Sequence, residues 1–156
     1  MDSQIGHEKT LTGLMPSLAK TSLIYGMGML DMGMAVSYEQ LLMDAEFVRM
    51  FKRAEAGIEV NDDTLALDII KAVGPAGTYL NQRHTMKHMR KEISTAKLID
   101  RKSYATWEKE GRMDLVQRAN KEARRILAEH EPERLPPEVI EKMDSIIEKA
   151  TRGEEL

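Results

Sequence analysis

The sequence predicts a mainly α fold, and three observations carry that reading. Apolar residues recur at helical spacing along most of the chain, a single short stretch reads as a strand, and turn residues cut the rest into about six or seven helical pieces. Methionine makes up 12 of 156 residues while aromatics make up only 4%, so flexible thioethers must fill much of whatever core forms.

Residues 5–19 place Ile5, Leu11, Leu14, Met15 and Leu18 on one helical face opposite His7, Glu8 and Lys9, with a disturbance expected at Pro16. Thr21 to Gly26 is short, apolar and partly β-branched, and Gly26-Met27-Gly28 ends it; this is the strand candidate. Ser37 followed by Gln40 reads as a capping box, after which Leu41, Leu42, Ala45, Val48, Phe51 and Ala54 define a helix over 38–56 that stops at Gly57. Asn61-Asp62-Asp63 opens a further helix over 63–73, bearing Leu65, Leu67, Ile69, Ile70 and Val73 and closed by Gly74-Pro75.

Beyond that turn, the basic segment QRHTMKHMRKE is compatible with a helix, and 94–102 is read as irregular. Ser103 caps a short helix with Tyr104 and Trp107 that ends near Gly111. Leu115, Ala119, Ala123, Ile126 and Leu127 mark an amphipathic helix that Glu131 to Pro137 breaks. The double proline suits the first turn of a last helix striped by Val139, Ile140, Met143, Ile146, Ile147 and Ala150. One short strand cannot close a sheet, so these apolar stripes need a partner surface.

Composition narrows the function classes. No run approaches the roughly 20 apolar residues of a spanning helix, and the N-terminus carries no apolar signal core, so a cytoplasmic location and no membrane are expected. The absence of cysteine excludes disulfides, thiolate catalysis and thiolate metal sites. A net charge of -3 argues against nucleic acid as a partner.

Four constellations carry candidate chemistry. His84 and His88 lie four residues apart, the spacing that offers two imidazoles from one helix face, yet Thr85 stands where a zincin needs Glu and spacing reveals no third ligand; no metal site is expected. Arg83, His84, Lys87, Arg90 and Lys91 make the same segment a basic patch that suits an acidic partner, although a solvated helix face is the plainer reading. Gly26, Gly28 and Gly33 miss the dinucleotide spacing. Tyr25, Asp31, Tyr38, Glu39 and Asp44 gather at a strand-to-helix connection, where carboxylates and tyrosine faces are what a small methylammonium cation needs; a helix N-terminus favouring Glu39 and a core place for Tyr25 are the plainer alternatives.

Three stretches carry a family resemblance: HEKTLTGLMPSLAKTSLIYGMGMLDMGMAVSYEQLLMDAEFVRM at 7–50, GIEVNDDTLALDIIKAVGPAGTYLNQRHTMKHMRKE at 57–92 and ARRILAEHEPERLPPEVIE at 123–141. The first two are long and specific; the last is an ordinary charged helix that agrees. Together they resemble the C-terminal portion of the trimethylamine:corrinoid methyltransferases. The resemblance implies a (β/α)₈ barrel that moves a methyl group from a methylated amine to Co(I) of a corrinoid protein and so feeds methanogenesis. Such a barrel needs about 250 residues. The chain is therefore expected to hold the last strand and helix units of the barrel at 1–92 and a helical C-terminal extension at 93–156, and to be inactive by itself.

The trimethylamine branch is further implied to use a pyrrolysine encoded by an amber codon, absent from this chain; the chain is expected to start just after that position, with Met1 an apparent start of an interrupted frame. Carried over onto this sequence, Tyr25 and Glu39, then Asp31 and Tyr38, are expected to line the barrel mouth near the substrate, and Arg83, His84, Lys87 and Arg90 to face the corrinoid protein. The cobalt cofactor is expected on that partner. Some betaine-type relatives have His where this chain has Tyr25, which favours trimethylamine. A glycine betaine methyltransferase is the nearest alternative. A free-standing helical interaction module using helices at 112–130 and 137–151 is the alternative from another class. A severed barrel exposes apolar stripes, so self-association into a homo-oligomer is expected.

Overall fold

The computed structural model describes residues 2–153. In chain order these form α1 (Ser3–Leu18), β1 (Met29–Leu30), a 3₁₀ turn (Asp31–Gly33), β2 (Ala35–Val36), α2 (Tyr38–Glu55), α3 (Asp62–Leu65), α4 (Leu67–Val73), α5 (Arg83–Glu92), α6 (Tyr104–Lys109), α7 (Leu115–Glu129) and α8 (Pro137–Arg152). The mainly α character follows the sequence. The chain divides into two compact units, 1–125 and 126–156.

The larger unit is built on α1 and α2. Asp2 caps α1 through the amides of Gln4 and Ile5, and Pro16 sits in its last turn, so the helix passes the proline and ends two residues later. Lys9 meets Asp44, Gly13 abuts the ring of Phe51, and Ser17 donates to Glu55 at 3.0 Å. These pairs advance along both helices in the same sense, so α1 and α2 run parallel. Only a hydrogen-sized side chain at Gly13 permits that approach, because a Cβ there would enter the Phe51 ring.

Two sequence expectations change in this connection. Thr21 to Gly26 joins no ladder; the strands lie further on, as an antiparallel two-residue pair with Met29 opposite Val36 and Leu30 opposite Ala35. A strand needs a neighbour for its amides and carbonyls, and the 21–26 segment meets none among the described residues, leaving Leu23 74% and Tyr25 82% exposed. The second concerns α2. Ser37 accepts from the Gln40 amide as expected, but the Gln40 side chain does not return to close a capping box; it donates to Asp44 instead. The buried residues of α2 are Gln40, Met43, Asp44 and Glu46 rather than the apolar stripe that spacing suggested.

Hydrogen bonding makes this polar face stable. Asp44 Oδ2 accepts from the Gly28 amide at 2.8 Å and from Lys9 Nζ at 3.0 Å, and Lys9 Nζ also donates to the Gly26 carbonyl at 2.8 Å. Gly28 has φ +76°, and a Cβ there would lie 3.0 Å from that of Leu41, so glycine is required where the turn crosses α2. Glu46 Oε1 accepts from the amides of Lys97, Leu98 and Ile99. The irregular segment expected at 94–102 is thus pinned by one carboxylate on α2.

The helix expected over 63–73 is two helices. Asn61 and Thr64 close a capping box around a single turn, and the chain turns left-handed at Ala66, φ +52°, before α4 begins. That conformation costs an alanine about 1–2 kcal/mol. Arg53 near the end of α2 donates to the Glu92 carbonyl and pairs with its carboxylate, securing α5. Ser103 caps α6, and Trp107 Nε1 donates to the Met113 carbonyl at 2.9 Å. In the smaller unit, Pro137 occupies the first turn of α8 and Gly153 terminates it at φ +73°; Val139, Ile140, Met143, Ile146 and Ile147 are all exposed.

Asp44→Ala leaves the Gly28 amide and the Gln40 side-chain amide without their acceptor and Lys9 with the Gly26 carbonyl alone, and is expected to cost roughly 2–4 kcal/mol in urea denaturation. A loss below about 1 kcal/mol would show that the node does not hold the unit together.

Candidate functional site

The five residues expected to gather at the strand-to-helix connection separate into two places. Tyr25 and Asp31 line one open groove beside α1 and α2, together with Lys9, Met29, Asp44 and Phe47. Asp31 and Met32 have φ +48° and +51°, a left-handed pair in the hairpin turn, with Met32 99% exposed. Aspartate tolerates that conformation; methionine does so at a cost, and such strain persists only where surrounding structure imposes it. Asp44 does not face a ligand, because both its oxygens are occupied by Gly28, Lys9 and Gln40.

Tyr38 and Glu39 lie at the start of α2, outside that groove; Tyr38 is 60% exposed. The Glu39 carboxylate accepts from Ser37 Oγ at 2.7 Å and from Asn120 Nδ2 on α7. The Ser37 and Asn120 hydrogen bonds, with its own amide and the charge of Arg124 assisting, hold its pKa at about 2, down from 4.5. Glu39 is therefore a fixed anion that joins α2 to α7. Asn120, 81 positions away in sequence, carries no local signal of this role.

A second cluster forms between α3 and α5. His84 and His88 stack with ring centroids 4.2 Å apart, and both turn Nε2 toward Asp63. His88 Nε2 lies 3.1 Å from Asp63 Oδ2, His84 Nε2 lies 2.6 Å from the Asp63 carbonyl oxygen, and Lys87 Nζ donates to Oδ2 at 2.7 Å. The Lys87 hydrogen bond, helped by His88, lowers the Asp63 pKa against the effect of desolvation. Lys91 pairs with Glu59 at 3.5 Å. Within the expected basic patch, His84 is thus half-buried and Lys87, though exposed, is engaged with Asp63, while Arg83 and Arg90 are exposed and form no ion pair among the described residues. Asp63 was invisible to spacing because it arrives from another element.

The sequence matches the family model for trimethylamine methyltransferase over residues 1–155. The chain belongs to the trimethylamine methyltransferase family. It is 47% identical over 147 residues to a trimethylamine methyltransferase of Desulfitobacterium hafniense, covering 94% of this chain and 29% of that protein. A trimethylamine methyltransferase of Methanosarcina mazei is 38% identical over 152 residues, covering 97% of this chain and 30% of the relative. A glycine betaine methyltransferase of Desulfitobacterium hafniense is 36% identical over 157 residues, covering 100% of this chain and 32% of the relative. The chain thus spans about a third or less of the length of these methyltransferases. No helix among the described residues is long and apolar enough to cross a membrane.

The Glu39 anchor gives this family member a pH signature. Its folded pKa lies below the unfolded value, so its contribution is complete above about pH 4.5 and is lost as pH falls toward 2. Glu39→Gln is expected to lower stability at pH 7 and to flatten the decline in urea midpoint between pH 4.5 and 2; an unchanged slope would remove Glu39 from the account.

Proposed function

We propose that this chain forms the part of a corrinoid-dependent methyltransferase that carries Tyr25 and Asp31 to the mouth of a (β/α)₈ barrel. The parallel α1 and α2, joined through 19–37, carry this reading. Parallel helices connected by a strand and a loop are the repeating unit of such a barrel, and 21–26 occupies the position of the strand. Its lack of a ladder and the exposure of Leu23 and Tyr25 are what a barrel strand shows when its neighbours lie elsewhere in the enzyme. On this reading, 1–92 supplies the last strand and helix units and 93–156 the helical extension. Tyr25 then lies at the C-terminal end of its strand, where barrel enzymes place their chemistry.

The substrate proposed is trimethylamine in its ammonium form. The Tyr25 face attracts it by cation–π interaction and the Asp31 carboxylate by charge, while Tyr38 and the fixed Glu39 flank the same barrel mouth. Methyl transfer breaks the C–N bond, whose electrons stay with nitrogen as dimethylamine leaves, and Co(I) of a corrinoid protein supplies the electron pair of the new Co–C bond. Protonation lets the amine leave, and the group that orients it for attack, a pyrrolysine on this reading, belongs to the rest of the enzyme. The corrinoid stays on its partner protein. Arg83 and Arg90 are the proposed contacts to that partner, since His84 and Lys87 are engaged with Asp63. The setting is the cytoplasm, with the methylated corrinoid feeding methanogenesis. Glycine betaine is the second reading, favoured by the 36% identical relative that carries that name.

Alone, the chain is expected to self-associate through its exposed apolar residues and to leave Co(I) corrinoid unmethylated. Combined with the remaining portion of the enzyme, it is expected to consume the Co(I) absorbance in a trimethylamine-dependent manner. Tyr25→Ala in that combination should lower kcat/KM about five- to thirtyfold, the loss of roughly 1–2 kcal/mol of cation–π attraction. Turnover by the isolated chain, or a preference for glycine betaine in the combination, would overturn the respective part of the proposal.

A further inference from the structure

We infer that Asp63, His84 and His88 form a binding site for a single zinc-class divalent cation, which clamps α5 to the segment that precedes it. The donor atoms of the three side chains all lie within 4.8 Å of one another. Metal–nitrogen and metal–oxygen distances near 2.0–2.2 Å place neighbouring tetrahedral ligands about 3.3 Å apart. The His88 Nε2 to Asp63 Oδ2 distance of 3.1 Å and the His84 Nε2 to Asp63 Oδ1 distance of 3.8 Å fall on either side of that value. Small rotations of χ angles therefore bring the three donors onto one ion, with no movement of either helix required.

Fold and sequence hold these donors in place. One helical turn separates the two imidazoles on α5, and the Asn61–Thr64 capping box fixes the turn that carries Asp63. The imidazoles are 20% and 15% exposed while Asp63 is 52% exposed, so the rings are sheltered and the carboxylate side stays open to an entering ion and a water ligand. Asp62 and Asp68 line the same depression as Asp63 and His84, and their negative charge outweighs that of Lys71, which also lines it. Two imidazoles and one carboxylate suit zinc, cobalt or nickel better than magnesium or calcium, which favour oxygen alone. The donor set lacks the soft thiolates that select copper(I).

Two contacts oppose binding, and the first is that of His84 Nε2, which lies 2.6 Å from the Asp63 carbonyl oxygen and must turn from it with its lone pair free. The second is that of Lys87, whose Nζ occupies Asp63 Oδ2 at 2.7 Å and must leave before a cation can take that oxygen. Its side chain is 67% exposed on a flexible stem, so it can swing into water. The lysine is a competing cation, and its removal should strengthen the site. That expectation separates a metal site from a simple hydrogen-bonded cluster, which loses an ion pair when Lys87 is replaced.

The test is competition between the full chain and a chromophoric chelator for Zn²⁺ at neutral pH, with Co²⁺ as a spectroscopic substitute. The expected result is one ion per chain, visible ligand-field absorption with Co²⁺, and at least about a tenfold loss of affinity in His84→Gln, His88→Gln and Asp63→Asn. Lys87→Met should bind several-fold more tightly, and His7→Gln/His130→Gln should bind like the parent. Zn²⁺ should raise Tm in the parent and not in His84→Gln/His88→Gln, with far-UV circular dichroism showing that the variants are folded. No uptake by the folded parent, uptake that survives His84→Gln/His88→Gln, or weaker binding by Lys87→Met would overturn the inference.

Discussion

Two carboxylates on one helix organise the larger unit. Asp44 and Glu46 are 4% and 1% exposed, in a chain whose buried apolar residues among those described are only Met43, Ala119 and Ala123. A buried carboxylate without partners would cost several kcal/mol, so its presence demands donors, and here the backbone supplies many of them. Asp44 collects the turn at Gly28 and the lysine of α1; Glu46 collects three successive amides at 97–99. Segments too irregular to satisfy their own amides are held because α2 presents an anion to them. The loop bearing Tyr25 and Asp31 inherits its position from the same node, since Lys9 also grips the Gly26 carbonyl.

This polar node holds the segments of the larger unit to α2 while much apolar surface stays uncovered. Leu23, Met32, Met34, Ile58, Val60 and Leu80 are each more than two-thirds exposed. A free-standing domain of this size normally encloses more of such residues. The curated relatives are about three times as long as the stretch they share with this chain. The parallel α1 and α2 hold to one another directly through Gly13, Asp44 and Glu55, without requiring the intervening 21–26 segment to join a sheet.

Locally encoded features were legible in the sequence. Ser37 and Ser103 cap their helices, Pro137 opens α8, and 94–102 lacks regular structure, because each follows from residues within a few positions. Features set by distant partners were not. The apolar spacing of α2 pointed to Leu41 and Ala54, yet the turn, α1 and the 97–99 segment meet the face of Gln40, Asp44 and Glu46. Strand propensity at 21–26 was visible, but pairing depends on neighbours, and none is present among the described residues. Tyr25 and Asp31 line one groove, whereas Glu39 is held by Asn120, which no spacing rule connects to it. Asp63 joins His84 and His88 only once the chain has turned back between α4 and α5.

Buried carboxylates on α2 hold irregular segments in place, and amide hydrogen exchange at those segments reads that hold. Gly28 and Leu98 lie outside helices, so their amides should exchange at near free-peptide rates unless Asp44 and Glu46 engage them. The account predicts protection comparable to that of the amides in the middle of α2. Exchange of Gly28 and Leu98 at free-peptide rates while α2 stays protected would contradict it.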